Sequence, residues 1–363
     1  MRRRSLPRWP SLAAALACAA CDGGIGFADT GTRASDAPIA TDDAGTPRDA
    51  HTRDSTIPVV PDGGRDAARL GAPYPIVMAH GFFGFEDFAG AGFIDYFWGV
   101  RSELAAHGES RVFTPAVDPF NDSETRGREL LAHIEEIVAE TGYARVNIIA
   151  HSQGGLDARV VANLRPDLVA SITTVATPHE GTPAADVILR IVSDERLRDL
   201  IDALVRVIAS PLYDAAGEET SVFAPLRLFS RDGIAAFEAM HPDEPTVQYF
   251  SVAGRSDRTV GRSLCRPADR PDFLRRYDDV TDPLEPLLAV PGAIISGDAF
   301  DPTPNDGLVS VASARHGRFL GCIPADHLDE IGQLFGDSPG LFNDFDHLAF
   351  YRDLVAFLRE QGL

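Results

Sequence analysis

The stretch Ala144-Arg-Val-Asn-Ile-Ile-Ala-His-Ser-Gln-Gly-Gly-Leu-Asp157 decides how the rest of the chain is read. Val146 to Ala150 is a short apolar run of strand length, and a helical pattern follows Gly154. A serine held between small residues where a buried strand passes into a helix marks a tight turn that lifts one hydroxyl above the end of a sheet. Such a turn needs small residues two before and two after the serine, and Ala150 and Gly154 comply. The following helix aims its first N–H groups at any negative charge that develops beside Ser152. A strand ending in an ordinary polar turn is the competing reading, so the flanking sequence must decide.

Upstream, Thr125 to Thr141 is an amphipathic helix with Leu130, Leu131, Ile134, Ile137 and Val138 on one face. Before it, Tyr74 to Ala79 has the pattern of a buried strand and runs into His80-Gly-Phe-Phe-Gly84, a glycine-rich loop able to offer a backbone N–H to an oxyanion. Arg101 to His107 reads as helix. Arg111 to Val117 reads as a strand that Pro115 confines to an edge or a strand end. Downstream, a helix from Gly155 to Leu164 stops before Pro166, and Leu168 to Thr177 is another buried strand. Strand, helix, strand, helix, strand predicts an α/β fold with a mostly parallel sheet covered on both faces.

Residues 183–245 interrupt this rhythm. Asp194 to Ala209 carries Leu197, Leu200, Ile201, Leu204 and Ile208 on one stripe, and a second apolar-rich stretch runs from Val222 to Met240. An insertion here is expected to form a helical lid, with a fixed cap as the alternative. Val247 to Ala253 resumes the sheet, and Arg255 to Asp301 reads mostly as loop. Asn305 to Val311 is a turn with a short apolar segment, and Phe345 to Leu358 is a closing amphipathic helix.

The 363 residues suit one α/β domain with insertions, and 44% of them are apolar, enough for a sizeable core. A net charge of −21 argues against nucleic acid or anionic lipid held by charge. At the N-terminus Arg2, Arg3, Arg4 and Arg8 precede the apolar stretch Leu12 to Ala20, too short to span a bilayer but suited to a secretory signal over residues 1–21. Ala17-Cys-Ala-Ala-Cys21 ends it. This is either a lipoprotein cleavage box with Cys21 lipidated and the protein attached to a membrane, or an ordinary cleavage site near Ala20. Both imply export. Residues 22–70 are dominated by Gly, Ala, Asp, Thr, Pro and Arg without apolar periodicity, so a disordered tether is expected before the folded domain at 71–363. Cys265 and Cys322 would meet an oxidising compartment, where they either pair or stay as two buried thiols.

A serine hydroxyl is a poor nucleophile without a base, normally a histidine held in one tautomer by a carboxylate. In α/β-hydrolases the chain order is Ser, then Asp or Glu, then His. Of the histidines after Ser152, His179 and His241 lack a well-placed preceding carboxylate. His316 falls in a turn soon after Asp306, and His347 opens the last helix beside Asp346, where a surface position is expected. His327 comes late, in a loop well after Asp306, and fits best.

Together, the blocks Tyr74 to Phe85, the Ser152 turn, Arg165 to Gly181, Asn305 to Ser310 and His327 to Gly336 resemble the bacterial family I triacylglycerol lipases, secreted enzymes that often need a dedicated foldase. The resemblance runs in order from about Ala72 to the C-terminus and implies the α/β-hydrolase fold. It implies that Ser152 is the nucleophile, His327 the base and Asp306 its orienting acid. The oxyanion hole would be the backbone N–H groups of Phe82 and Gln153. It also implies a structural Ca²⁺ held by Asp282 and Asp329 with the backbone carbonyls of Gln333 and Asp337, oxygen ligands of the kind calcium prefers, and no organic cofactor. Three features depart from the family pattern. Ala150 stands where glycine is usual, Ala312 replaces a usual disulfide cysteine, and the lipoprotein-like N-terminus with its tether is unusual. Cys265 with Cys322 would form a different bridge. The expected activity is hydrolysis of acylglycerol esters. Hydrolysis of short-chain or polymeric esters is the first alternative, and an inactive cell-surface binding module on the same fold is the second.

Overall fold

The computed structural model describes residues 69–82, 96–192, 221, 223–256, 262–297, 302–333, 339–340 and 343–363. These lie within a compact unit spanning Gly64–Leu363. The expected signal segment, Cys21 and nearly all of the tether lie outside the described residues, as do the stripe at 194–209 and Asp337.

Six strands form one sheet in the order β2-β1-β3-β4-β5-β6, with every pairing parallel. They are β1 (Ile76–Ala79), β2 (Val112–Phe113), β3 (Val146–His151), β4 (Val169–Val175), β5 (Gln248–Gly254) and β6 (Arg318–Ile323). Each residue of β1, β3 and β4 is buried, as a parallel sheet covered on both faces requires. Alternation along β1 separates two cores. Ile76 and Met78 join Ile149 and Val252 against α1 (Val100–Ala106) and the C-terminal helix α8 (His347–Glu360). Val77 and Ala79 join Ile148 and Ile172 against α2 (Ser123–Thr141) and α3 (Gly154–Leu164). α2 starts where the Asp122 carboxylate accepts the Thr125 N–H, and it buries Leu130, Ile134, Ile137 and Val138.

Several elements differ from the sequence reading. Only Val112–Phe113 of the stretch Arg111 to Val117 is strand, at the sheet edge, since Pro115 has no N–H for a ladder. β6 was not legible: six residues containing Gly321 show no alternation, yet they extend the sheet next to β5. The presumed loop 255–301 contains a helix, α7 (Ala289–Ser296), whose Pro291 sits in the first turn where a missing N–H does no harm. Within 183–245, α4 (Pro183–Ile191) starts at a Thr182 cap. The stretch after Val222 divides into α5 (Phe223–Phe229) and α6 (Arg231–Met240), because the Ser230 hydroxyl accepts the Gly233 N–H and starts a new helix. Cys265 and Cys322 form a disulfide that joins the segment after β5 to β6.

Candidate active site

Ser152 occupies the turn between β3 and α3 with φ of 54°, in the left-handed region. Its N–H donates to Val175 O at 2.9 Å and its carbonyl accepts the Thr177 hydroxyl at 2.7 Å, so the strained residue is pinned to the end of β4 and to the segment just after it. A β-carbon on Gly154 would lie 2.4 Å from the backbone oxygen of Ala79, so only glycine fits where α3 passes the end of β1.

Ser152 Oγ lies 2.9 Å from His327 Nε2, and His327 Nδ1 lies 2.9 Å from Asp306 Oδ2. A carboxylate only accepts, so Nδ1 carries the proton and Nε2 is left to accept from the serine. Asp306 is held in turn: its Oδ1 accepts the N–H groups of Leu308 and Val309, and its backbone carbonyl accepts the His327 N–H at 3.0 Å. The three residues expected to carry the chemistry thus meet in one buried chain of hydrogen bonds. The other histidines lie elsewhere. His316 is stacked on His179 at 4.3 Å between ring centroids and bonds Asp243, and His241 contacts Glu124. His347, expected at the surface, is buried because its Nε2–H donates to Trp98 O as α8 packs on the core.

The loop after β1 approaches the serine closely. A β-carbon on Gly81 would lie 2.7 Å from Ser152 Cβ and 2.6 Å from the Tyr96 hydroxyl. His80 Nε2 accepts the Val117 N–H at 3.0 Å, so its Nδ1–H donates to the Gly81 carbonyl at 2.9 Å. Burial, with a contribution from Arg126, lowers the His80 pKa to about 3, so the ring is neutral. Arg126, fully buried on α2, pairs with Asp157 of α3 at 2.8 Å and donates to the carbonyls of His80, Gly81 and Asp118. Phe82 is half-buried with its ring edge-on to Phe120, and the chain at 83–95 is outside the described residues. Gln153 opens α3, and its side-chain amide donates to Asn121 O at 2.8 Å.

Sequence reasoning missed a second buried chain. His151 places Nδ1 2.7 Å from the Tyr96 hydroxyl and Nε2 2.8 Å from Glu330 Oε2, with its ring centroid 4.5 Å from that of His327. Burial, then the neighbouring His327, push the His151 pKa well below its usual value. Burial, then Asp306 and Asp326, push that of Glu330 well up. Burial also raises the Tyr96 pKa, and a hydrogen bond from the Gly81 backbone pulls it part of the way back, as an N–H donor to the phenol oxygen does. Nothing local marked these residues, because their partners are remote in sequence.

Beside the His327 loop, Asp282, Asp326 and Asp329 bring carboxylate oxygens within 4.8 Å of one another, all buried. Asp326 is engaged by the N–H groups of Glu285, Leu328 and Asp329. Asp282 Oδ2 has no hydrogen-bond partner, and burial raises this carboxyl's pKa to about 7. A buried, unsatisfied oxygen among hard acidic groups fits a cation such as Ca²⁺. Gln333 is buried, its N–H donating to Leu328 O at 3.0 Å and its side-chain amide to Tyr96 O at 3.0 Å.

Residues 74–216 match the family model described as alpha/beta hydrolase fold. A triacylglycerol lipase of Vibrio cholerae is 32% identical over 309 residues, covering 80% of this chain and 89% of the relative. Triacylglycerol lipases of Pseudarthrobacter phenanthrenivorans and Pseudomonas fragi are each 30% identical, over 80% of this chain and 98% and 97% of their own lengths. Among solved structures, the Staphylococcus hyicus lipase superposes with a TM-score of 0.57 at 17% identity, covering 79% of this chain and 95% of that one. That likeness concerns the fold alone.

Proposed function

Because this chain belongs to the bacterial triacylglycerol lipases, carboxylic ester hydrolases of the α/β-hydrolase fold, we propose that it is an exported lipase that cleaves acylglycerol esters through an acyl-enzyme on Ser152. The observation that carries this reading is the pair of 2.9 Å hydrogen bonds from Ser152 Oγ through His327 to Asp306. His327 Nε2 takes the serine proton as Oγ attacks the ester carbonyl, and Asp306 steadies the imidazolium that forms. The proton then passes to the leaving alcohol. Water, activated by the same nitrogen, releases the fatty acid and restores Ser152. The tetrahedral oxyanion is received by the N–H groups of Phe82 and Gln153, worth roughly 3–4 kcal/mol for each donor.

The apolar setting supports a lipid acyl group. Phe82 follows Gly81, which packs on Ser152, and Ile191, which is 76% exposed, presents apolar surface on α4 with Ile188. The carboxylates of Asp282 and Asp329, with the carbonyls of Gln333 and Asp337, would hold a calcium ion that neutralises buried charge and braces the His327 loop. Export rests on the N-terminal segment, whether it ends in a lipidated Cys21 or in plain cleavage, and folding assisted by a dedicated foldase would follow the family habit.

The test is hydrolysis of an ester series from soluble butyrates to emulsified long-chain triacylglycerols, by wild type and by Ser152→Ala. Wild type should cleave the long-chain substrates, and the variant should lose at least about 10⁴-fold in kcat. Activity confined to short soluble esters would replace the lipase reading with an esterase. Activity in neither protein would leave only a binding role.

A further inference from the structure

Gly81 is held at its carbonyl and at its N–H by groups that take no part in the proposed chemistry. On one side the Gly81 carbonyl accepts from His80 Nδ1–H at 2.9 Å and from the Arg126 guanidinium at 3.3 Å. On the other the Tyr96 hydroxyl packs against Gly81, where a β-carbon would stand 2.6 Å from it, and takes the Gly81 N–H of the preceding peptide. With its oxygen occupied by that N–H, Tyr96 directs its own proton to His151 Nδ1 at 2.7 Å, and the neutral ring then donates from Nε2 to Glu330 Oε2 at 2.8 Å. The bonds run in one direction, from the loop after β1, across the residue before the nucleophile, to the residue three after His327.

In a trans peptide the N–H points opposite to the C=O. Fixing the Gly81 carbonyl toward Arg126 therefore fixes the Phe82 N–H on the opposite face. Two donors on that carbonyl also polarise the amide and make its N–H a stronger donor. We propose that Tyr96 and Arg126 are positioning residues for the oxyanion site: Tyr96, oriented by His151, and the Arg126 fork clamp Gly81 so that the Phe82 N–H is aimed before substrate arrives. This rests on the function proposed above. Its physical gain is a donor that needs no reorganisation when negative charge appears on the ester oxygen.

The defining variant is Tyr96→Phe in the full chain, which deletes one oxygen and keeps the ring. It should lower kcat for a soluble butyrate ester by about 10-fold or more, with KM within about twofold. Affinity for phenylboronic acid, which forms a tetrahedral adduct on the serine, should fall by the same factor as kcat/KM. Arg126→Lys keeps the charge beside Asp157 but loses the fork that reaches three carbonyls, and should show the same split. Thermal melting verifies that each variant is folded, and Arg126→Lys decides if Tyr96→Phe does not fold. A folded variant with wild-type kcat and wild-type boronate affinity overturns the proposal. So does one whose kcat falls while boronate affinity stays unchanged. If wild type itself hydrolyses no ester, the functional reading fails; if wild type is active and the variants match it, only the clamp fails.

Discussion

At Ser152 a non-glycine residue is held at φ of 54°, a conformation costing of order 1–3 kcal/mol that only over-determined surroundings sustain. Those surroundings are tight packing as much as hydrogen bonding. Gly154→Ala would drive a methyl group to 2.4 Å from Ala79 O, which is backbone and has no rotamer to yield. We expect that substitution to lower unfolding free energy by about 1–3 kcal/mol and to shift the urea midpoint accordingly; an unchanged midpoint would mean that the turn is looser than its contacts suggest. The hydrogen-bonded set of Ser152, Asp306 and His327 was legible in the sequence because the proposed chemistry demands those side chains in that order. Tyr96, Arg126 and Glu330 were not, for a physical reason. Arg126 stands four residues before Leu130, in line with the apolar stripe of α2, but a charge in the first turns of a helix is ordinarily solvated, and only the approach of α3 and the β1 loop buries it. The bond from His151 to Glu330 spans 179 residues of chain, beyond anything local pattern encodes.

The central strands and helices were well read, since buried parallel strands are continuous apolar runs and α2 carries a clear stripe. The elements at the sheet margins were read less well. β2 shrinks to two residues and β6 has no alternation, because edge strands owe their existence to a neighbour more than to their own propensity. The segment from β6 through His327 to Gln333 matters most among these, since it carries the proposed base and one side of the acidic cluster. If calcium braces it, adding a chelator should lower the melting temperature and speed loss of activity on heating, and added calcium should restore both. Melting that ignores chelation would leave Asp282, Asp326 and Asp329 as an acidic cluster stabilised by other means.

Across the whole molecule, neutral buried histidines link stability to pH. Burial, then His316 and Arg159, lower the pKa of His179, and burial likewise lowers those of His80 and His151. Such a group binds a proton in the unfolded chain below about pH 6.5 but not in the folded one, so its contribution to stability is present above that pH and is lost as pH falls. Replacing His179 by Gln should therefore flatten the fall in stability as the pH drops below about 6.5, by up to about 1.4 kcal/mol per pH unit relative to wild type. Denaturant titrations across that range provide the check, and parallel curves for the two proteins would exclude the linkage. The sheet order has a further consequence, in the sequence of events during synthesis. The strand β3 that leads to Ser152 lies in the middle of the sheet, whereas Asp306 and His327 flank β6, the last strand at the far edge. A chain emerging N-terminus first can complete β1 to β5 while Ser152 still lacks the proposed base. Closure of the separation of 175 residues from Ser152 to His327 is a long-range step of the slow kind, so on the proposed mechanism hydrolytic competence arrives last, as the final product of folding.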